Sequence, residues 1–172
     1  YIQELASMLP VFTLDPKPSD KILDFCAAPG SKTGLIAALT QNKAQITAIE
    51  KDRSRFFKMK ELISSQGVEN TRTILIDANI LAKKIPEILN SFDKVLVDAP
   101  CTNEGSINLS SDAGLKYWST KEPKKLSKLQ KGLLNSAFKF LKPGGTLVYS
   151  TCTYSIEENE MVVDWILKKL GN

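Results

Sequence analysis

A chain of 172 residues that is 42% apolar and 24% charged has the length and composition of one soluble globular domain, spanning residues 1–172, with room for a sizeable core. Its net charge of +4 permits a polyanionic partner without demanding one, and no apolar run approaches the ~20 residues of a membrane span, so no membrane partner is expected. The absence of histidine excludes His-dependent triads and His-containing metal sites; Cys26, Cys101 and Cys152 lie too far apart for a CxxC zinc signature, so no metal is expected either.

Short apolar runs alternate with helix-like segments along the chain. Strands are predicted at Lys21–Phe25, Gln45–Glu50, Arg72–Asp77, Lys94–Asp98 and Thr146–Thr151. Helices are predicted between them, near Lys32–Thr40, Arg53–Gln66, Ile80–Asn90 and Lys124–Leu141, with a last one from Ile156 to Leu170. The pattern Ser155-x-x-Glu158 reads as a capping box for that last helix, ahead of an apolar face of Val162, Val163, Trp165, Ile166 and Leu170. Pro143-Gly144-Gly145 reads as a turn leading into the fifth strand. Such alternation predicts an α/β fold, a mostly parallel sheet with helices on both faces. The long irregular stretch from Thr102 to Glu122 has the length of a functional loop.

In open parallel sheets ligands bind beyond the carboxyl ends of the strands, which directs attention to the residues there. The first strand runs into Cys26-Ala27-Ala28-Pro29-Gly30-Ser31-Lys32, a loop of small residues that lets a ligand approach the backbone and feeds a helix amino end. It is neither a P-loop nor a GxGxxG fingerprint, because Cys26 and Ser31 stand where a P-loop has its glycines. Glu50 closes the second strand and suits the hydroxyls of a ribose; Asp77 closes the third and suits an adenine amino group or a neighbouring amide. Singly, each acid could be a turn cap. Together they fit an adenosine without a pyrophosphate, which points to S-adenosylmethionine.

Cys101 follows the fourth strand in Asp98-Ala99-Pro100-Cys101, and Cys152 follows the fifth in Ser150-Thr151-Cys152-Thr153. Fourth and fifth strands are neighbours in a doubly wound sheet, so both thiols are expected to open onto one cleft. Two thiols facing a pocket beside a cofactor loop suggest covalent chemistry on a substrate ring. Cys26, with no partner motif, reads as a structural residue lining its loop. Three cysteines and no export signal predict a reducing, cytoplasmic compartment. Lys116, Lys121, Lys124, Lys125, Lys128 and Lys131, with Tyr117 and Trp118, read either as phosphate contacts with a stacking ring or as a solvated helix face.

The ordered set of Asp-x-Cys-Ala-Ala-Pro-Gly-x-Lys-Thr at 24–33, Asp-Ala-Pro-Cys at 98–101 and Ser-Thr-Cys-Thr at 150–153 resembles the Nop/Sun family of RNA (cytosine-5)-methyltransferases. Glu157-Glu158-Asn159 and the opening Gln3-Glu4-Leu5-Ala6-Ser7-Met8 are similar to further segments of that family. The resemblance covers nearly the whole chain. It implies a Rossmann-like class I methyltransferase fold using S-adenosylmethionine, with RNA, ribosomal or transfer, as substrate. It assigns Cys152 as nucleophile and Cys101 as the thiol that helps release product. Cofactor contacts are implied at Cys26 through Lys32, Glu50, Asp77 and Asp98, with Lys32 and Asp98 also near the target cytosine.

This sequence departs from the family at Ser31, where a second glycine is usual, and after Cys101, where Thr102-Asn103-Glu104-Gly105 and Ile107-Asn108-Leu109 replace small and basic residues. A start at Tyr1 without methionine and the lack of two further strands after Leu170 are expected of a core fragment or of a chain completed by another. Other readings are a DNA cytosine methyltransferase, in which Cys101 would be the nucleophile, a non-catalytic RNA-binding or assembly factor, and, more remotely, a nicotinamide dehydrogenase.

Overall fold

The computed structural model describes residues 2–107, 119 and 121–171. Five strands, β1 (Lys21–Asp24), β2 (Gln45–Glu50), β3 (Thr71–Leu75), β4 (Phe92–Asp98) and β5 (Leu141–Ser150), form one sheet in the order β3-β2-β1-β4-β5. The β1–β2, β1–β4 and β2–β3 pairings are parallel, with Ile22 opposite both Ile46 and Lys94. The helices are α1 (Leu5–Leu14), α2 (Ser31–Leu39), α3 (Arg53–Ser65), α4 (Leu81–Lys84), α5 (Glu122–Ala137) and α6 (Glu160–Leu170).

Two compact units are distinguished, Tyr1–Asp98 with Ser136–Tyr149, and Ala99–Asn135 with Ser150–Asn172. The first holds the sheet. On one side Val11 and Leu14 of α1 and Ile36 and Ala37 of α2 pack with Ile22, Ile46 and Leu96. Ala48 of β2 packs with Phe56, Met59 and Ile63 of α3. Successive strand residues point to opposite faces, so the fully buried Leu23 and its register partner Val95 occupy the other face. A sheet buried on both sides explains why Ile22-Leu23 of β1 and Val95-Leu96-Val97 of β4 are consecutive apolar residues rather than alternating ones. Each such side chain contributes about 1.5–3 kcal/mol on burial.

Several expectations are corrected. A helix at Leu5–Leu14 precedes the alternating pattern and carries Pro10 inside it. The Ile80–Asn90 helix shrinks to α4 between the 3₁₀ turns Ala78–Ile80 and Pro86–Ile88, because Ile85 before Pro86 adopts φ −136° and leaves the helix. Pro143-Gly144-Gly145, expected as a turn leading into the fifth strand, lies within β5, with Gly144 at φ +79°. A Cβ at Gly145 would stand 2.9 Å from the Asp93 carbonyl, so a glycine lets β5 approach β4 there.

In the second unit the capping box is absent. The last helix starts at Glu160 with no side-chain cap, and Ser155 Oγ donates to Glu157 Oε2 at 2.9 Å. Glu158 is fully buried and accepts instead from Thr102 and Gln130, donors that outweigh one amide at a helix end. Of the expected apolar face, Val162 and Ile166 are buried whereas Val163 and Leu170 are exposed. On α5, Lys124, Lys125 and Lys128 lie on the exposed side and Ser127, Gln130, Leu133 and Leu134 on the buried one. Lys116, Tyr117 and Trp118 lie outside the described residues.

Candidate active site

In the first unit the loop after β1 is fixed by the backbone. Phe25 N donates to the Leu96 carbonyl and Ala27 N to the Ile49 carbonyl, both at 2.8 Å, tying the loop to β4 and β2. Ala27 and Ala28 are buried. Gly30 enters α2 at φ +106°, and a Cβ there would meet Ile63 Cγ2 at 2.9 Å, so only glycine serves. Ser31 is the first residue of α2, an ordinary helical position that accepts a side chain.

Asp24 ends β1 buried, with Thr33 Oγ1 donating to its Oδ2 at 2.7 Å. Burial pushes its pKa up to about 6; the Thr33 hydroxyl opposes this and the nearby Asp98 adds to it. Cys26 beside it is a poor nucleophile: burial holds its thiol pKa well above the ordinary range, and Asp24, Glu50 and Asp98 push the same way. Lys32 Nζ donates to Asp98 Oδ2 at 2.7 Å, with 15% and 32% of the two side chains exposed. Thus the acid ending β4 and the lysine opening α2 are held as a pair.

Glu50, 4% exposed, ends β2. Its Oε1 accepts from the amides of Lys51 and Asp52, each at 2.8 Å, and its Oε2 lies 3.6 Å from an Arg55 guanidinium nitrogen. The other guanidinium nitrogen of Arg55 donates to the Ala28 carbonyl at 2.7 Å. Sequence reasoning passed over Arg55; a basic residue on the first turn after the strand-end acid was the available signal. Asp77 follows β3 and caps the next 3₁₀ turn, its Oδ1 accepting from Asn79 N at 2.9 Å and Asn79 Nδ2 at 3.1 Å.

In the second unit the segments following β4 and β5 bring the two thiols together. Cys101 Sγ and Cys152 Sγ are 2.7 Å apart, and both cysteines are free rather than joined at the ~2.05 Å of a disulfide. Cys152 N donates to Cys101 Sγ at 3.2 Å, and Cys152 Sγ donates to Asn103 Oδ1 at 2.9 Å. Cys152 is exposed and Cys101 half-buried. Gly105 N donates to the Cys152 carbonyl at 2.9 Å, where a Cβ at Gly105 would stand 3.0 Å from that oxygen. The two thiols, expected from the sequence to open onto one cleft, lie against one another within this unit; Asn103, Glu104 and Thr153, from the same segments, carried no separate signal in the sequence.

Residues 11–172 match the family described as 16S rRNA methyltransferase RsmB/F. The chain belongs to that family.

The RsmB/F chain is 43% identical, over 99% of its length, to ribosomal RNA small subunit methyltransferase F of Aeromonas hydrophila, and 44% identical, over 98%, to that of Klebsiella pneumoniae. It spans 36% and 35% of those two proteins, about a third of the curated relatives it matches. Among solved structures, NSun6 from Pyrococcus horikoshii, solved with an S-adenosylmethionine analogue, superposes with TM-score 0.86 at 40% identity, covering 98% of this chain and 42% of that one. An S-adenosylmethionine-dependent O-methyltransferase from Thermotoga maritima shares only the fold, with TM-score 0.67 at 14% identity and 98% of this chain covered, 51% of that one. The five-stranded sheet with its helices is therefore the Rossmann-like fold of S-adenosylmethionine-dependent methyltransferases.

Proposed function

We propose that residues 1–172 act as one catalytic core that transfers a methyl group from S-adenosylmethionine to carbon 5 of a cytosine in RNA, ribosomal or transfer, through a covalent bond to Cys152. The observation that carries this reading is the pair of thiols 2.7 Å apart, in no disulfide, on segments that follow neighbouring strands. Membership of an rRNA methyltransferase family supports RNA as the substrate class. The exposed lysines of α5 are candidates for phosphate contacts.

The donor set fits such a cofactor. Acids stand at or just beyond the carboxyl ends of β1, β2, β3 and β4, as Asp24, Glu50, Asp77 and Asp98. A rim of carboxyl groups suits a sulfonium and an ammonium, and Glu50 suits a ribose diol. We assign Cys26, Ala27, Ala28, Pro29, Gly30, Ser31, Lys32, Glu50, Asp77 and Asp98 to hold it. When bound, S-adenosylmethionine supplies an electrophilic methyl group.

The rest is work for the protein's own residues. Carbon 5 of cytosine is too weak a nucleophile unaided. Addition of the Cys152 sulfur to ring carbon 6 forms a C–S bond and turns carbon 5 into an enamine carbon that can take the methyl. Charge then collects at ring nitrogen 3, and the proton in the Lys32–Asp98 hydrogen bond is available to offset it. Afterwards Cys101, acting as its thiolate, takes the proton from carbon 5 and becomes the thiol. The released electron pair restores the 5,6 double bond and expels Cys152 as a thiolate.

Incubation with S-adenosylmethionine and unmodified RNA, followed by digestion and mass analysis of nucleosides, tests this. The expected product is 5-methylcytidine, reduced at least ~1,000-fold by Cys152→Ala. A different methylated nucleoside, or product formation that survives Cys152→Ala, would contradict the assignment.

A further inference from the structure

We infer that Glu158 and Asn159, consecutive residues at the foot of α6, are positioning residues that each clasp one thiol-bearing segment and so set the Cys101–Cys152 geometry. The inference rests on the reading of these thiols as the reacting pair. Glu158 holds the Cys101 side. Its Oε2 accepts from Thr102 N at 3.1 Å, and its Oε1 accepts from Thr102 Oγ1 at 2.5 Å. Gln130 Nε2 of α5 donates both to Glu158 Oε2 at 2.7 Å and to the Pro100 carbonyl at 3.0 Å, so Cys101 is held at both of its neighbours. Asn159 holds the Cys152 side. Its Oδ1 accepts from Thr151 Oγ1 at 2.6 Å, and its Nδ2 donates to the carbonyls of Thr153 at 3.1 Å and Ser155 at 2.8 Å.

The two clasps come into contact. Thr102 Oγ1 and Thr153 Oγ1, each one residue past a reacting cysteine, lie 2.8 Å apart. Thr153 Oγ1 in turn donates to Glu104 Oε2 at 2.8 Å, and that oxygen also accepts from Tyr154 N at 3.2 Å. Glu158 and Gln130 are fully buried, so these bonds are shielded from competing water. Reacting groups must be held to within about 0.5 Å by neighbours whose own rotamers are locked, and this network does that for both sulfurs at once. Two adjacent side chains just ahead of α6 leave the two segments little freedom to slide past each other.

Thiol–disulfide exchange with glutathione reads the geometry without RNA or methyl donor. Oxidised glutathione takes two electrons from the Cys101–Cys152 pair, yielding the protein disulfide and two glutathione thiols, and the exchange constant reports how well the sulfurs are juxtaposed. Peptide mapping after acid quench reads it for the whole chain. Glu158→Ala and Asn159→Ala are each expected to lower the constant by about tenfold or more. Glu158→Gln, which retains an acceptor for Thr102 N and a partner for its hydroxyl, is expected to stay within about threefold of the parent.

A merely structural role is separated by Val162→Ala, a buried change on the same helix. It should lower the Tm yet leave the constant within about twofold. Should Glu158→Ala fail to fold, Thr102→Val removes only the hydroxyl contacts and is expected to show the loss. Constants unchanged in the Ala variants, or in Thr102→Val where it stands in, would overturn the inference, as would an equal loss in Val162→Ala. If the constant falls as expected but no 5-methylcytidine forms, the clasps stand and the methylation reading fails.

Discussion

Asp24 ends β1 with 1% of its surface exposed, and its carboxyl is raised from 3.8 to about 6 chiefly by burial. The folded chain therefore binds this proton more tightly than the unfolded chain does. Its favourable contribution is complete below pH 3.8 and is lost as pH rises through about 6. Asp24→Asn, which keeps an acceptor for Thr33, removes that dependence. Between about pH 3.5 and pH 7.5 its stability relative to the parent should improve by on the order of 3 kcal/mol, measured by urea unfolding at each pH. A difference that stays flat would mean that Asp24 is no more burdened than a surface acid. Cys26 lies beside Asp24, and burial raises its thiol pKa; the sequence reads it as a residue lining its loop. That reading was available because Cys26 lacks the Asp-Ala-Pro and Thr neighbours of the other two cysteines.

Elements position these residues, and α3 does so through one side chain. Asp52 caps the helix by accepting from Arg55 N at 2.8 Å, which points the Arg55 side chain back over β2. From there it reaches both Glu50 and the Ala28 carbonyl, joining the strand-end acid to the loop after β1. Arg55→Ala is expected to weaken S-adenosylmethionine binding about tenfold by calorimetry, through Glu50 and the loop losing their common partner. Affinity within about twofold of the parent would show that the backbone alone fixes them.

The strands were legible because a sheet buried on both faces writes short apolar runs such as Ile22-Leu23 and Val95-Leu96-Val97, and α2 and α3 because helix-like segments alternate with those runs. What stayed hidden was long-range. Glu158 has the spacing of a capping box, yet its carboxyl is taken by Thr102, 56 residues away, and by Gln130. No local pattern encodes that choice. At α4 the signal was local but unused, since Pro86 cuts short a segment with helical periodicity; α1 is secured by the packing of Val11 and Leu14 although Pro10 lies inside it.

For the whole molecule, the sheet order β3-β2-β1-β4-β5 converts distances along the chain into neighbours. Cys101 and Cys152 are 51 residues apart in sequence but follow adjacent strands, and their sulfurs meet at 2.7 Å. Lys32 and Asp98 are 66 apart and meet at 2.7 Å because β1, which leads into α2, pairs with β4. The motifs were therefore readable as an ordered set before the geometry that pairs residues within each unit. The proposed covalent chemistry at Cys152 is tested by trapping the bond. The Cys101→Ala variant, incubated with S-adenosylmethionine and unmodified RNA, should accumulate a protein–RNA complex that survives denaturation, and Cys101→Ala/Cys152→Ala should not. A complex that persists in the double variant, or one that forms only when Cys152 is removed and Cys101 kept, would contradict Cys152 as the nucleophile.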